Sequence, residues 1–422
     1  MTTAANTLAA GTGSGVVISS CQVCDNPELK HVLFLGYMPP VNQMRFIGQV
    51  PEEQPSYPTS LLYCSKCELV QLGLCVDPEV IFPPGYPYTS GTTRILRDNF
   101  AELHRESCGL LALRTEDLVI DIGSNDGTLL QNFQDHGHKV LGIEPTDVGK
   151  LAQERGIPTV QNYFRPEVAR KVRHEHGPAR MITAANCFAH IEDVHSITEG
   201  ILELLGPKGV FISESHYLIG LLDRLQYDTI YHEHLRYYSL RSLRYLLEMH
   251  GLEAFHARYI PTHGGSIRVY AARKGEYPVR ETVKQIIDSE PHGTGMVERL
   301  DRFRHEVMIS KLRLLAMLYD IKNKGERVVG ISAPSRASTL ITYLGLDDAI
   351  VDYVVEIKGS LKIGKYMPGT LIPVIEEGRL FADQPEYALI FSWHIADELA
   401  PKLRERGYKG KFIVPLTEPR IL

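Results

Sequence analysis

The feature that most constrains this chain is a short apolar segment that stops at glycine, residues 118–127. Its apolar residues bracket Asp121 in the pattern of a buried strand. Gly123 and Gly127 allow backbone angles that other residues avoid, so the chain can turn tightly and approach a ligand closely. A strand, a glycine turn and a helix beginning at Thr128 form the start of a nucleotide-binding α/β unit.

The loop of this unit favours a cationic ligand. It lacks the G-x-G-x-x-G pattern of dinucleotide sites and carries Asp121 and Asp126 with no basic residue. Such carboxylates repel a pyrophosphate and attract a sulfonium that bears an amino group. Glu144 follows a second predicted strand, residues 139–143, where it can bind both ribose hydroxyls. The loop therefore predicts S-adenosylmethionine; the alternative is a structural turn in another α/β protein.

Later strand ends complete the predicted cofactor site. Asn162 and Phe164 follow the third predicted strand and are candidates for the edge and the face of the adenine. Asn186 ends the fourth strand, at the edge where open α/β sheets bind ligands. The predicted cofactor-binding residues are Asp121, Gly123, Asn125, Asp126, Gly127, Glu144, Asn162, Phe164 and Asn186.

Composition narrows the class of protein. The 422 residues allow two or three domains, and the net charge of −6 gives no reason to expect a nucleic acid or an anionic membrane as partner. No apolar run is long enough to span a bilayer. Residues 1–20 are small and polar, which predicts a disordered leader and not a signal peptide. We expect a cytoplasmic monomer.

Two C-x-x-C pairs predict a metal site near the N-terminus. Cys21 and Cys24 form one pair, and Cys64 and Cys67 form the other. Four thiolates complete a tetrahedral zinc site and leave no open position, which indicates a structural role. The segment between the pairs is longer than in usual zinc ribbons, so a loop must project from the site.

Residues 227–239 carry a dense run of polar and titratable side chains, unlike a packed core segment. His232 and His234 could both ligate a metal if the segment were a strand, but the H-E-x-x-H spacing of metalloproteases is absent. A structural histidine is the plain alternative. As a catalytic group, a histidine can serve as general base, Tyr231 can donate to an oxyanion, and Glu233 can orient the imidazole.

Taken together, these motifs resemble the sugar C-methyltransferases of deoxysugar pathways. The resemblance covers nearly the whole chain from about residue 20, and its most specific part is Tyr231–His234. It implies methylation at C3 of a nucleotide-linked 4-keto-6-deoxyhexose, with dTDP or GDP as the nucleotide. It also implies His234 as base and a tyrosine from the proline-rich segment 82–91, either Tyr86 or Tyr88. The implied catalytic residues are His234, Glu233, Tyr231, His190, Tyr88 and Tyr86.

A second α/β unit is predicted in the C-terminal third. Residues 282–324 predict a helical region, and the apolar stripe expected to be buried is Met308, Leu312, Leu315, Leu318 and Ile321. Residues 327–339 then repeat strand, small-residue turn and helix, which offers amides and hydroxyls to an anion. A purely structural domain is the alternative. The predicted diphosphate-binding residues are Ser332, Ser335, Arg336, Ser338, Lys362 and Lys365.

The predicted architecture is α/β with three modules after the leader. A zinc-binding module spans 21–80, a Rossmann-like class I methyltransferase domain 81–265, and a second Rossmann-like domain 266–422. The predicted function is C-methylation through an enolate, with structural zinc. Two alternatives stay open: an O- or N-methyltransferase, and a nucleic-acid-binding protein, which the acidic charge disfavours.

Overall fold

The computed structural model describes residues 15–83, 86 and 88–422. Residues 1–14 of the predicted leader lie outside the described residues. Gly15–Val17 does not fit that prediction, because it forms a strand that pairs antiparallel with Leu74–Val76. The N-terminal elements are β1 Gly15–Val17, β2 Leu29–Met38, β3 Tyr57–Cys64, β4 Val70–Leu72, β5 Leu74–Val76 and α1 Pro78–Ile81.

The middle of the chain alternates strands and helices, and its last two strands form a hairpin. Its elements are α2 Arg94–Leu111, β6 Leu118–Ile122, α3 Thr128–Gln134, β7 Lys139–Ile143, α4 Val148–Glu154, β8 Thr159–Val160, α5 Pro166–His176, β9 Ala179–Ala185, α6 Val194–Leu204, β10 Leu205–His216, α7 Leu218–Asp223, β11 Arg236–Tyr237, α8 Leu240–Met249, β12 Leu252–Ile260 and β13 Ser266–Arg273.

The C-terminal part begins with two helices and continues as a second α/β unit. Its elements are α9 Glu281–Ser289, α10 Thr294–Asn323, β14 Val328–Ile331, α11 Ser335–Leu344, β15 Val354–Glu356, β16 Val374–Glu376, α12 Gly378–Asp383, β17 Tyr387–Ile390, α13 Ala396–Glu405, β18 Lys411–Val414 and β19 Arg420–Ile421. None of the helices in the described part of the chain is both long and apolar enough to cross a membrane.

Seven strands form the central sheet in the order β12-β13-β10-β9-β6-β7-β8. The five strands β8, β7, β6, β9 and β10 are parallel, and β13 pairs antiparallel with β10. The order reverses between β6 and β9, which is where open α/β sheets bind ligands. The sheet extends past residue 265, the predicted domain boundary, because β13 closes the hairpin with β12.

The zinc-module sheet includes a strand from much later in the chain. Its order is β11-β4-β3-β2, so Arg236–Tyr237 at the end of the polar motif pairs with the N-terminal module. Leu235, the preceding residue, donates its N–H to the carbonyl of Ala189, beyond the end of β9. The motif is thereby fixed between the zinc module and the carboxyl edge of the central sheet.

The second α/β unit is a six-stranded sheet in the order β16-β15-β14-β17-β18-β19. Its first five strands are parallel, as the repeat of strand, turn and helix predicts. The predicted stripe on α10 is partly wrong, because Met308 and Leu312 are exposed. The buried residues alternate steps of three and four from an earlier start: Met296, Leu300, Phe303, Val307, Ser310, Leu314, Leu318 and Ile321.

Candidate active site

Four cysteines from two turns converge in the N-terminal module. Cys21 Sγ lies 3.4 Å from Cys67 Sγ, and Cys24 Sγ lies 3.5 Å from Cys64 Sγ. All four sulfurs lie within 4.8 Å of one another and are buried. Sulfurs that share a tetrahedral Zn²⁺ at 2.3 Å stand about 3.8 Å apart, so this set fits zinc. No position is left for a substrate.

The loop between the two cysteine pairs projects from the zinc module, as predicted, and reaches the second α/β unit. Ile47 donates its N–H to the carbonyl of Gly364 (2.9 Å), and Tyr366 donates to the carbonyl of Arg45 (2.8 Å). Lys365 lies beside this loop, with its Nζ 5.5 Å from the centre of the Phe46 ring. The zinc module thus connects both α/β units.

The segment before α2 lies over the predicted cofactor loop. Ser90 donates its N–H to Asn125 Oδ1 (2.8 Å), and Gly91 donates to Asp126 Oδ2 (3.0 Å). Asn125 in turn donates through Nδ2 to the carbonyl of Tyr88 (3.2 Å). A side chain at residue 91 would meet Asp126, since its Cβ would lie 2.6 Å from the carboxylate.

Two carboxylates face the turn after β6. Asp121 accepts a hydrogen bond from Thr183 Oγ1 (2.6 Å), and Glu144 accepts from the N–H of Asn125 (3.0 Å). Burial raises the pKa of Asp121 to about 7, and the charge of Glu144 adds to the rise. A bound cation would reverse this effect, because an opposite charge favours the ionised carboxylate. The pair therefore suits a cationic ligand.

Beside these carboxylates lies a buried acceptor with no partner. Asn186 adopts φ = +57° after β9, and its Oδ1 is buried without a hydrogen-bond partner in the described chain. An unmet buried acceptor is costly, so a donor group of a ligand is expected there. Gly123 keeps the turn close to this strand end, because a Cβ at that position would lie 2.6 Å from Cys187 Sγ.

Asp126 serves the loop itself. Its carboxylate accepts from the N–H and Oγ of Thr128 (3.2 and 2.7 Å), which caps the start of α3 behind Gly127. It also lies 3.4 Å from Arg155. Glu144 is held in a similar way, by the N–H and Oγ1 of Thr146 (2.9 and 2.6 Å), so Asp126 stays a predicted cofactor residue beside Asp121 and Glu144.

The two adenine candidates lie in different environments. Asn162 is exposed after β8. Phe164 is buried in the hydrophobic core, and its ring would lie 3.3 Å from a Cβ at Gly200 of α6. The edge of this ring packs against α6, and the adenine contacts of Asn162 and Phe164 both stay predictions.

The two histidines of the motif have separate roles. Residues 230–235 form no strand, so His232 and His234 do not share a face, and the idea of a joint metal site fails. His232 Nε2 lies 3.3 Å from Thr59 Oγ1 and 3.3 Å from the carbonyl of Pro58, both in the zinc module. His232 is thus the structural histidine of the pair.

Among the described residues, His234 is hydrogen-bonded through one ring nitrogen. Its Nδ1 lies 2.7 Å from the carbonyl of Thr229, and since a carbonyl only accepts, Nδ1 carries the proton. Nε2 therefore presents a lone pair. Burial, together with the charge of His190, lowers the pKa of His234 well below its ordinary value. The neutral base form is present at neutral pH.

Aromatic and imidazole rings surround His234. The Tyr231 ring centre lies 4.2 Å away, and those of His190 and His216 lie 4.9 and 5.0 Å away. His263 extends this cluster, 5.4 Å from His216. Burial lowers the pKa of both His190 and His263 to about 4, so these rings are neutral N–H donors.

Glu233 does not orient the imidazole, contrary to the sequence prediction. The carbonyl of Thr229 makes the hydrogen bond that orients the imidazole of His234. Glu233 accepts from Tyr86 Oη (2.9 Å) and from Asn42 Nδ2 (2.6 Å). Burial raises the pKa of Glu233 to about 7. Both predicted tyrosines reach this region, Tyr86 by that hydrogen bond and Tyr88 beside the cofactor loop.

The serine loop of the second unit, residues 332–338, contacts the residues around Glu233 through Ser335. Ser335 Oγ donates to Asn42 Oδ1 (3.2 Å), which links the loop to Glu233. Ser332 adopts φ = +66° at the turn after β14. Ser338 is buried, and its hydroxyl has no partner in the described chain.

Arg336 is occupied by an ion pair inside the protein. Its Nε lies 3.1 Å from Asp228, its Nη2 donates to Gln226 Oε1 (2.8 Å), and both charged side chains are buried. The guanidinium also lies over Trp393, which itself donates to Asp228 (2.7 Å). These contacts hold the second unit to residues 226–228. They also account for the burial of Arg336 without a bound diphosphate.

Lys362 is the cation beside the serine loop. Its Nζ donates to the carbonyl of Ala333 (2.6 Å). The charge of Lys362 also opposes the rise in the pKa of Glu233. Its remaining N–H donors are suited to an anion.

Sequence reasoning missed several residues of the site. They are Asn42, His216, Gln226, Asp228, Thr229 and His263. His216 ends β10, and its place at a carboxyl strand end was a usable signal. Asn42 gave no such signal, because it comes from the projecting loop of a distant module.

Comparison with known proteins agrees with three modules. Residues 21–82 match the model of a zinc binding domain, 92–257 that of a methyltransferase domain, and 261–417 that of a C-methyltransferase C-terminal domain. The C-methyltransferase NovU of Streptomyces niveus is 31% identical over 409 residues, which cover 96% of this chain and 97% of NovU.

The chain belongs to the S-adenosylmethionine-dependent C-methyltransferases. This C-methyltransferase has the predicted fold, a zinc-binding module before two Rossmann-like units, and the predicted cofactor. The residues around Asp121, Glu144 and Asn186 would hold that cofactor, which supplies an electrophilic methyl group when bound. The structural zinc belongs to the cysteine site of the N-terminal module.

Two similar solved structures each cover less than half of this chain. The PH0226 protein of Pyrococcus horikoshii OT3 is 16% identical, with a TM-score of 0.37, and covers 46% of this chain and 98% of its own. The magnesium protoporphyrin IX methyltransferase of Synechocystis PCC 6803 is 13% identical, with a TM-score of 0.34, and covers 43% of this chain and 84% of its own. Nothing about the substrate follows from either.

Proposed function

We propose that this C-methyltransferase methylates C3 of a nucleoside-diphosphate-linked 4-keto-6-deoxyhexose during the biosynthesis of branched deoxysugars. The observation that carries the proposal is the state of His234. Its Nδ1 is bonded to the carbonyl of Thr229, so Nε2 is the unprotonated nitrogen, and aromatic and imidazole rings surround it. An imidazole with one unprotonated nitrogen is the form of histidine that can act as general base in proton removal next to a ketone.

The reaction begins at the sugar carbon. A C4 ketone acidifies the C3–H bond, His234 Nε2 takes that proton, and negative charge develops on the C4 oxygen. Tyr231 Oη or a neutral His190 N–H stabilises this charge. The electron-rich C3 would then take the methyl group of the donor, whose S–CH₃ bond breaks to leave neutral S-adenosylhomocysteine. Positioned base catalysis of this kind contributes about 10²–10⁴-fold to the rate.

The second unit would hold the nucleotide end of the sugar. Lys362 offers ammonium N–H groups next to the serine loop, and Ser335 opens α11 on the side of Asn42 and Glu233. A diphosphate bound there would place its sugar toward the imidazole cluster. Thymidine and guanosine diphosphates are the two nucleotides to be compared by calorimetry.

The decisive experiment separates C-methylation from O- or N-methylation. The 4-keto sugar nucleotide is incubated in D₂O with the protein and without methyl donor, and exchange at C3 is followed by NMR. We expect exchange with the wild type, and a loss of about 10²-fold or more with His234→Asn. His232→Asn is the matched control, because its ring contacts only the zinc module, and exchange should persist. Absence of exchange in the wild type would instead favour a heteroatom acceptor.

We further propose that the protein works as a cytoplasmic monomer. None of the seven cysteines is in a disulfide, which suits a reducing compartment. The proposed site combines residues of the zinc module, the central sheet and the second unit of one chain, such as Asn42, His234 and Ser335. A second copy is therefore not needed to complete it.

A further inference from the structure

A second group of metal-type ligands lies away from the active site. His104 and Cys108 are four residues apart on α2, so they share one face of that helix. His138 immediately precedes β7. The group therefore lies at the amino end of the central sheet, whereas the proposed active site is at the carboxyl end.

The three ligand atoms are spaced as a metal would require. They all lie within 4.8 Å of one another, and Cys108 Sγ is 3.7 Å from His138 Nε2. A sulfur at 2.3 Å and a nitrogen at 2.1 Å from one tetrahedral Zn²⁺ would be about 3.6 Å apart. The cluster needs little movement to close around an ion.

His104 supplies an independent reason to expect a ligand. Its side chain is 5% exposed, and its Nε2 is buried without a hydrogen-bond partner among the described residues. An unpaired buried nitrogen costs about 1–3 kcal/mol, and coordination to a cation would satisfy it. Packing alone does not, since its ring contacts are Phe133 and two other histidines.

The surrounding hydrogen bonds are those of metal-binding histidines. His138 Nδ1 lies 3.0 Å from the carbonyl of Arg114, so that nitrogen is protonated and the lone pair of Nε2 points to Cys108. His136 repeats the pattern, with Nδ1 2.7 Å from the carbonyl of Asn132. Carbonyl acceptors of this kind fix the tautomer in which Nε2 coordinates a metal.

We propose that His104, Cys108 and His138 form a second metal site for a zinc-type divalent cation. Water would be the fourth ligand; His136, whose ring lies 4.3 Å from that of His104, is outside the group of three and would have to move to bind. Binding converts the Cys108 thiol to a thiolate and releases its proton to solvent. The ion would join α2, which follows the segment over the cofactor loop, to the turn that enters β7.

Cobalt is the probe that distinguishes this site from the four-cysteine site. The full-length protein, with zinc retained in the four-cysteine site, is titrated with Co²⁺ and its visible absorption is recorded, while total metal is measured by mass spectrometry. We expect a second equivalent of metal per chain, with a spectrum that shows thiolate and imidazole ligands. A total of one equivalent would overturn the proposal.

Substitutions assign the second equivalent to this cluster. Cys108→Ala and His138→Gln should each weaken it by about 100-fold or more, since loss of a direct ligand exceeds the 10–100-fold effect of an outer contact. Cys75→Ala is the thiol control and should leave it unchanged, because Cys75 lies apart from both clusters. Circular dichroism and methyl transfer confirm that each variant is folded. A second equivalent that persists in Cys108→Ala would refute the assignment.

Discussion

In both Rossmann-like units, a glutamate accepts a backbone N–H of the first loop of its sheet. In the central sheet, Glu144 follows β7 and accepts the N–H of Asn125 in the loop after β6 (3.0 Å). In the second sheet, Glu356 ends β15 and accepts the N–H of Ala333 in the loop after β14 (2.6 Å). Each glutamate fixes the first loop of its sheet from the neighbouring strand.

The difference between these loops lies in their charges. The first loop has two buried carboxylates, Asp121 and Glu144, and the cation bonded to it, Arg155, is paired with Asp126. The second loop has Lys362 bonded to its backbone. The same topology therefore favours a cationic ligand at one sheet and an anionic ligand at the other. His234 lies on the motif that joins the two sheets, so the comparison also predicts which substitutions affect which ligand.

The largest expected effect is on stability. It concerns Arg336, the residue near the second loop whose charge is paired with Asp228. Arg336→Ala should lower the free energy of unfolding by about 3–5 kcal/mol, because it leaves Asp228 charged and buried without its partner. Arg313→Ala is the control, since its pair with Glu418 is exposed on both sides and worth about 0–1 kcal/mol. Denaturant unfolding measures both. A stable Arg336→Ala protein with weakened sugar-nucleotide binding would instead make Arg336 a substrate ligand.

Glu144→Gln tests the first loop. Two charge-assisted hydrogen bonds to ribose hydroxyls would be weakened, so the affinity for S-adenosylmethionine should fall by about 100-fold. The affinity for the sugar nucleotide should stay within about twofold. Calorimetry with each ligand measures these affinities. An equal loss of affinity for both ligands would contradict the assignment of the methyl donor to the first sheet and the sugar nucleotide to the second.

Lys362→Met is the reciprocal test in the second loop. Loss of one ammonium contact to a diphosphate should weaken the sugar nucleotide by about 10–50-fold and leave the methyl donor unaffected. Lys365→Met serves as the comparison, because the ammonium of Lys365 lies over the Phe46 ring. If Lys365→Met has the larger effect, the diphosphate lies nearer the projecting loop of the zinc module.

The smallest effect is a pH dependence confined to the first loop. The pKa of Asp121 is raised to about 7, and the carboxylate must be ionised to attract a cation. Affinity for the methyl donor should therefore rise with pH, by about tenfold from pH 6 to pH 8, and binding at pH 6 should release a proton. Calorimetry in two buffers of different ionisation enthalpy measures that proton. Asp121→Asn should remove the pH dependence.

The sequence predicted correctly those features that depend on residues close together in the chain. The cysteine pairs, the glycine turn after β6 and the alternation of strands and helices all gave the correct elements. The burial of α10 was misjudged because one apolar stripe was extrapolated from its C-terminal half, while Met296 to Val307 set the buried face. Helical periodicity fixes a spacing but not its phase.

The amino-acid sequence by itself determined the two sheets, the cofactor class and the four-cysteine site, because each depends on residues close in the chain or on a repeated period. Tertiary structure alone decided that His232 supports the zinc module, that His234 is free, and that Glu233 binds Tyr86 and Asn42. Adjacent side chains differ in this way because each one's hydrogen-bond partner comes from a different, distant part of the chain.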